Sequence, residues 1–329
     1  MPQKLCTVEE VSAMIQDGKK LLLAGDAKLL SQLPKGDWIG GSTPLFLLHQ
    51  ANRVTSYDKI FVNQLPDFIT KTIIKEYDET NIHDIFNDGL QNGFTVLIMP
   101  FVKPVTSEYA MNAANFENFA TYPVCGWVSG QPLDKILTEK AYTASGVTPS
   151  ISPEKGVAMH ISLPENKYAE INIFNPYEQG DGDVITFDHS GQVAKDVYIN
   201  GIKRNFADYF HEKKYDGNYL PLVANYSGAM LNISCIPAGD RMQLSAPVFE
   251  HIEYRFAKIN PQITEPNLNS DKIIISFTCV HNFMQPAYCE KYLKKMDGTV
   301  VFGEIAYQFV NQTTVYVTID DVPFNTETK

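Results

Sequence analysis

The sequence predicts an α/β to α+β fold: two packed mixed α/β halves, with mainly β-rich sheets flanked by short helices. Three observations lead there. The 329 residues suggest about two domains or halves at ~150 residues each, and 44% hydrophobic with 12% aromatic side chains can build a sizeable core. The first 150 residues alternate apolar strand-like runs with helix-patterned segments. After residue 150 the texture shifts to alternating, β-rich runs separated by Pro, Gly, Asn and Asp turns. The halves are residues 1–150 and 151–329, and the lack of a low-complexity linker leads us to expect that they pack on each other.

Residues 7–17 read as a helix. Thr7 is its N-cap, Glu10 completes a capping box, Val8, Val11, Met14 and Ile15 follow helical spacing, and Gly18 stops it. Residues 20–24 form an apolar strand, 26–32 one or two helical turns, and 38–41 a second short strand running into Gly-Ser-Thr-Pro. Residues 60–65 read as a strand, 67–78 and 82–90 as helices, 94–101 as a strand, 106–119 as a helix, and 124–128 as a strand running into Ser129-Gly130. The order of strand, helix and Gly/Ser-ended strand thus occurs twice, which reads as a duplicated unit.

In the second half, residues 158–163 and 169–174 read as a hairpin around Pro164-Glu165-Asn166. Asp181 to Asp183 is a surface turn, because the further ligands of an EF-hand are missing. Residues 195–199 form a strand, Asn200-Gly201 a turn and 206–213 a short helix. A strand region runs from Pro221 to Cys235, another strand covers 240–244, and 249–256 is a strand or a short helix. A polar loop at 262–271 precedes a buried strand at 272–278, a helix at 286–296, and strands at 300–303 and 313–319.

Lys and Arg number 27 against 38 Asp and Glu, a formal net charge of −11. That field repels polyanions, so neither nucleic acid nor an anionic membrane surface is expected as a partner. The first residues hold no apolar run of signal-peptide length, and no run approaches the ~18–20 residues of a membrane span; a cytoplasmic location is expected. The five cysteines, Cys6, Cys125, Cys235, Cys279 and Cys289, are widely spaced without a CxxC pair, and the histidines form no HExxH. No metal or cofactor is signalled locally.

Two stretches carry a family resemblance. One is KDVYINGIKRNFADYF, followed by PLV at Pro221; the other runs from IIISFTCVHNFMQ to GTVVFGEIAYQFVNQTTVYVTI. Together they resemble the FIST family, a sensory domain named for F-box and intracellular signal transduction proteins. The family's C-terminal part has a strand, an Asn-Gly turn, a short helix and a Pro-Leu strand. A strand ending in Cys, a helix, and Gly-Glu-Ile before an Asn-x-Thr strand come later. Here those residues are Asn200-Gly201, Pro221-Leu222, Cys279, Gly303-Glu304-Ile305 and Asn311-Gln312-Thr313. KLLLAGDAKLLSQLPKGDWIGGST is similar to the family's N-terminal part, except that Pro44-Leu45-Phe46 stands where the family has Ala-Gly-Glu-Ile. The resemblance covers residues 20–320 and implies a small-molecule sensor, for ligands such as amino acids, acting in signal transduction. No kinase, cyclase or methyl-accepting segment is visible, so it implies a stand-alone sensor or scaffold with a separate signalling protein as partner.

The candidate ligand-binding residues lie at strand ends. Gly40, Gly41, Ser42 and Thr43 offer close backbone amides and hydroxyls to an anionic group; a turn packed for steric reasons is the alternative. Gly126, Ser129 and Gly130 form the second such element. Trp127 and Gln131 occupy the places where a GxSxG elbow needs glycine, so a serine hydrolase is not signalled, and Cys125 reads as an inert core thiol. Cys279, His281 and Asn282 end a buried strand. Two residues apart on a continuing strand, Cys279 and His281 would share a face, as a Cys–His dyad or as part of a pocket. Gly303 allows a turn or close approach. Glu304 lies beside apolar neighbours, where burial demands a partner: a ligand ammonium, or a Lys, Arg or backbone donor.

The expected function is a small-ligand-binding sensor, with the ligand's carboxylate on the Gly-rich amides and its ammonium on Glu304. The alternatives are a hydrolase or transferase using Cys279 or Cys125, and a protein-interaction scaffold.

Overall fold

In a computed structural model of the chain, which describes residues 4–131, 133–136, 138–215, 220–226, 229–263, 272–296 and 298–323, the first helix starts at its capping box. The Glu10 amide donates to Thr7 Oγ1 at 3.3 Å and the Thr7 amide to Glu10 Oε2 at 2.9 Å, satisfying two donors that a helix start leaves open. Helix α1 (Val8–Gln16) follows strand β1 (Lys4–Cys6) and buries Val11 and Ile15.

The chain then runs through β2 (Leu21–Gly25), α2 (Ala27–Leu30), β3 (Trp38–Ser42), β4 (Leu45–Leu48), β5 (Asn52–Thr55), β6 (Ile60–Gln64), β7 (Lys71–Tyr77), β8 (Gly93–Pro100), α3 (Pro104–Asn112) and β9 (Val124–Ser129). Next come β10 (Thr143–Ser145), β11 (Ser150–Ser152), β12 (Gly156–Ser162) and β13 (Lys167–Phe174). Then follow β14 (Tyr177–Gln179), β15 (Ile185–Thr186), β16 (Gly191–Ala194), β17 (Asp196–Ile199), β18 (Ile202–Asn205), α4 (Phe206–Glu212), β19 (Leu222–Tyr226), β20 (Ala229–Ile233), β21 (Cys235–Ala238) and β22 (Arg241–Val248). The last elements are β23 (Tyr254–Ile259), β24 (Ile273–Cys279), α5 (Val280–Phe283), α6 (Pro286–Tyr292), β25 (Thr299–Ala306), β26 (Gln308–Val310) and β27 (Thr314–Asp321). The fold is mixed α/β, rich in sheet and with short helices, as the sequence predicts.

Contacts divide the chain into two units. The first gathers Met1–Ile173, Pro266–Gln308 and Thr314–Lys329; the second holds Phe174–Glu265 and Phe309–Thr313. In the first unit one sheet has the order β1-β6-β2-β3-β10-β11, and the path of the larger one is β13-β27-β24-β25-β9-β8-β12-β7. Among the described residues of this unit, β2 with β3, β8 with β9, and β24 with β25 pair in parallel. Each is joined by a connection containing helix, which parallel neighbours need. The sequence reading has a strand, a helix and a strand for all three of these units, and takes the first two as a repeat.

Gly41 fixes how the two sheets meet. A Cβ placed on it would lie 2.7 Å from Ile98 Cγ2, 2.9 Å from Trp127 Nε1 and 3.1 Å from Ser129 Cβ. Only hydrogen fits, so β3 lies close against β8 and β9. Leu21, Leu23, Leu30, Trp38, Ile60 and Val62 form the core between this smaller sheet and α1.

The second unit has a sheet of order β18-β17-β15-β23-β19-β20 with β14 beside β23, and a three-stranded sheet β16-β22-β21. Asn200 (φ 49°) and Gly201 (φ 82°) make the tight turn from β17 to β18, as their types favour. Phe206, Tyr209 and Phe210 of α4 join Leu222, Tyr254 and Phe256 in its core.

Several elements differ from the sequence reading. Residues 67–78 are not a helix: β7 occupies 71–77, pairs with β12 from Lys71↔Ser162 to Tyr77↔Gly156, and carries the β-branched run Thr72-Ile73-Ile74. The helix expected at 82–90 shrinks to the 3-10 turn Ile82–Asp84, since the Asn and Asp that follow compete for the backbone. The helix expected at 106–119 ends at Asn112 and passes into a 3-10 turn. β12 and β13 are not a hairpin: both edges of β12 are taken, by β7 and β8, and β13 pairs with β27. The helix expected at 286–296 ends at Tyr292. Within the expected polar loop 262–271, residues 264–271 lie outside the described residues.

Candidate functional site

The first unit brings the two Gly/Ser strand ends together. Ser42 Oγ donates to the Gly130 carbonyl at 2.9 Å, and the Gly130 amide donates to the Ser42 carbonyl at 2.7 Å. The Tyr142 amide donates to Ser42 Oγ at 2.9 Å, and the Ser42 amide to the Tyr142 carbonyl at 2.8 Å. Thr43 Oγ1 donates to the Val301 carbonyl of β25 at 2.7 Å, and the Thr43 amide to the Gly25 carbonyl at 3.2 Å. Ser129 Oγ reaches the Met99 carbonyl at 3.2 Å. A Cβ on Gly130 would lie 2.0 Å from the Phe302 ring, so the bare backbone lets that ring close over the junction.

These buried hydroxyls and amides serve the protein. Gly40 and Gly41 lie in β3, which β2 and β10 flank on both sides. The amides of Ser42, Thr43 and Gly130 are each donated to a carbonyl, so an amide cradle for a ligand carboxylate is not what the Gly-Ser-Thr element builds.

It builds the edge of a cavity instead. A cavity of about 560 Å³ opens beside the junction, within the size range of small-ligand sites. Ser42, Thr43 and Gly130 line it; the other candidates from the sequence do not. Its other charges and rings come from α2 with its N-cap, from the turn after β5 and from the segment after β9: Asp26, Lys28, Lys135, Glu139 and Lys140 carry the charges, and Tyr57 and Tyr142 the rings. The sequence analysis missed these residues. They sit on short helices and turns with no motif, and only the convergence of strand ends locates them.

Cys279 and His281 do meet, by a different route from the one expected. β24 stops at Cys279, which is the N-cap residue of α5, and the first turn of that helix carries the ring back to the thiol: Sγ to Nδ1 is 3.6 Å. Burial lowers the His281 imidazole to about 4. It is neutral near pH 7 and can take a proton from the thiol, but a standing thiolate–imidazolium pair is disfavoured. Asn282 is fully buried and its Nδ2 donates to Thr278 Oγ1 at 3.3 Å. The Cys289 thiol donates to the Asn282 carbonyl at 3.1 Å. Burial raises the Cys125 thiol well above its ordinary range and takes the Cys289 thiol up to about 11, as inert core thiols show.

Gly303 and Glu304 lie on β25, opposite Val128 and Trp127 of β9. Gly126 is buried in the same ladder, opposite Ile305. The Glu304 side chain is fully buried, so a soluble ligand in the cavity does not reach it.

A family model described as a family of unknown function, DUF6976, matches residues 6–320. The chain belongs to this family. No curated protein matches it.

A polar chain in this DUF6976 protein was not visible in its sequence. Lys75 Nζ donates to Asp88 Oδ2 at 2.6 Å, and the Tyr77 hydroxyl donates to the same oxygen at 2.7 Å. His160 Nε2 lies 2.9 Å from the Tyr77 oxygen, and His160 Nδ1 lies 2.7 Å from Thr95 Oγ1. With the tyrosine proton directed to Asp88, His160 carries its hydrogen on Nε2 and accepts from Thr95. Burial lowers the His160 imidazole to about 4. For Asp88, burial pushes upward, but hydrogen bonds from Lys75 and Tyr77 outweigh it and hold the carboxyl below its usual range. The network links a half-exposed ion pair to a fully buried ring. Assigning residues 67–78 to a helix hid it, because only the strand places Tyr77 and His160 in neighbouring ladders.

Among the described residues no group of His, Cys, Asp and Glu could hold a metal ion, and no helix is long and apolar enough to cross a membrane.

Proposed function

We propose that this DUF6976 chain binds a small polar molecule, such as an amino acid, in the cavity beside the Ser42–Gly130 junction, and works as a FIST-like sensory domain in the cytoplasm. Binding there would favour one conformational population, which a signalling protein reads. The observation that carries the proposal is the cavity: a 560 Å³ space with charged and aromatic lining where strand ends from two sheets converge. Its lining belongs to the first unit alone.

A thermal-shift screen of amino acids tests it, with Ser31→Trp as control. Ser31 is an exposed residue on the cavity wall, so the substitution fills the space without touching the core. Ligands that raise the melting temperature of the native chain and not of Ser31→Trp support the proposal. A shift equal in both proteins contradicts it.

One observation favours a second reading, a Cys-dependent hydrolase or transferase: the 3.6 Å approach of Cys279 Sγ to His281 Nδ1. It requires a thiol that reacts with iodoacetamide at neutral pH faster than an unfolded cysteine does.

A further inference from the structure

The charge around the cavity opposes that of the chain. The molecule carries a net charge of −11, yet three lysines, Lys28, Lys135 and Lys140, face two carboxylates, Asp26 and Glu139, in the lining. Both carboxylates are already engaged. Asp26 Oδ1 accepts from the Lys28 amide at 2.8 Å, and Glu139 Oε1 pairs with Lys135 Nζ at 2.8 Å. Among the described residues, neither the Lys28 nor the Lys140 ammonium has an ion-pair partner. The Ser42, Thr43 and Gly130 amides, which could have held an anion, are each donated to a backbone carbonyl.

We infer that the ligand is an acidic one: a small dicarboxylate or an acidic amino acid, with its anionic groups held by Lys28 and Lys140. This rests on the reading that the cavity is a ligand site. A wall with uncommitted ammonium groups and engaged carboxylates favours a second negative group over a neutral amide or a second positive one. Both lysines are exposed, so salt screens the attraction and the selectivity is electrostatic.

Isothermal titration of the full chain with L-glutamate, succinate, L-glutamine and L-lysine, at low and moderate salt, tests the inference. The same titrations on a Lys28→Gln/Lys140→Gln variant, whose unfolding midpoint is checked first, locate the charge. Glutamate and succinate are expected to bind about tenfold more tightly than glutamine, a difference of about 1.4 kcal/mol. The preference should shrink with salt and vanish in the variant. Equal affinity for glutamate and glutamine overturns the inference while leaving the cavity as a binding site. Binding by none of the four overturns both.

Discussion

Ser42 and Gly130 exchange two hydrogen bonds, Oγ to carbonyl at 2.9 Å and amide to carbonyl at 2.7 Å, and so tie the end of β3 to the end of β9. The serine hydroxyl also accepts from the Tyr142 amide, which makes one small side chain the meeting point of three segments. Ser42→Ala removes a donor and an acceptor together and leaves buried backbone groups unpaired. The expected loss is about 1–3 kcal/mol of unfolding free energy in urea titration. A loss within error of zero would show that the junction does not depend on the hydroxyl.

Gly41→Ala tests the closeness of the two sheets. The new methyl meets Ile98, Trp127 and Ser129 within 3.1 Å, and these neighbours come from a packed ladder. Overpacking of this kind costs about 1–3 kcal/mol. Full native stability in this variant would mean that the sheets lie farther apart.

His160 makes stability depend on pH in a defined window. Its folded imidazole titrates at about 4, and an exposed one near 6.5. Between those values the unfolded chain binds a proton that the folded chain does not, so stability falls as pH falls from 6.5 toward 4. The limit is about 3 kcal/mol at 1.36 kcal/mol per pH unit. His281, lowered to about 4 as well, adds in the same direction. Chemical denaturation across pH 4–7 measures the slope, and His160→Gln should flatten part of it. A level profile in the native chain would contradict the buried, neutral ring.

Cys279 is 4% exposed, and its imidazole neighbour is neutral at physiological pH. Alkylation of the native chain by iodoacetamide at pH 7.5 should therefore be slower at Cys279 than in the denatured chain, as peptide mass spectrometry can follow. Faster labelling in the native state would favour the Cys-dependent enzyme over the sensor.

Much of the fold was legible because local signals and tertiary outcome agree. Thr7 and Glu10 cap α1 where the capping box says, and Asn200-Gly201 turns where its dihedral preference says. β7 was not legible, since its apolar spacing suits a helix and only the ladder with β12 makes it a strand. The candidate site was half legible. The Gly-Ser-Thr and Ser-Gly ends do converge, but local sequence could not show that their amides are donated across 88 residues of chain separation, as for Ser42 and Gly130. Nor could it show that Lys28 and Lys140, more than a hundred positions apart, line one cavity. Glu304 shows the reverse limit: its type suggested a ligand contact, and burial in the ladder opposite Trp127 removes it from the cavity.

The most direct test is an amide NMR titration of the full chain with L-glutamate. The account predicts shift changes concentrated at the amides of residues 25–28, 42–43, 130–131 and 138–140 and of Tyr142, which border the cavity. Changes centred on Cys279 and His281, or none at saturating ligand, would contradict it.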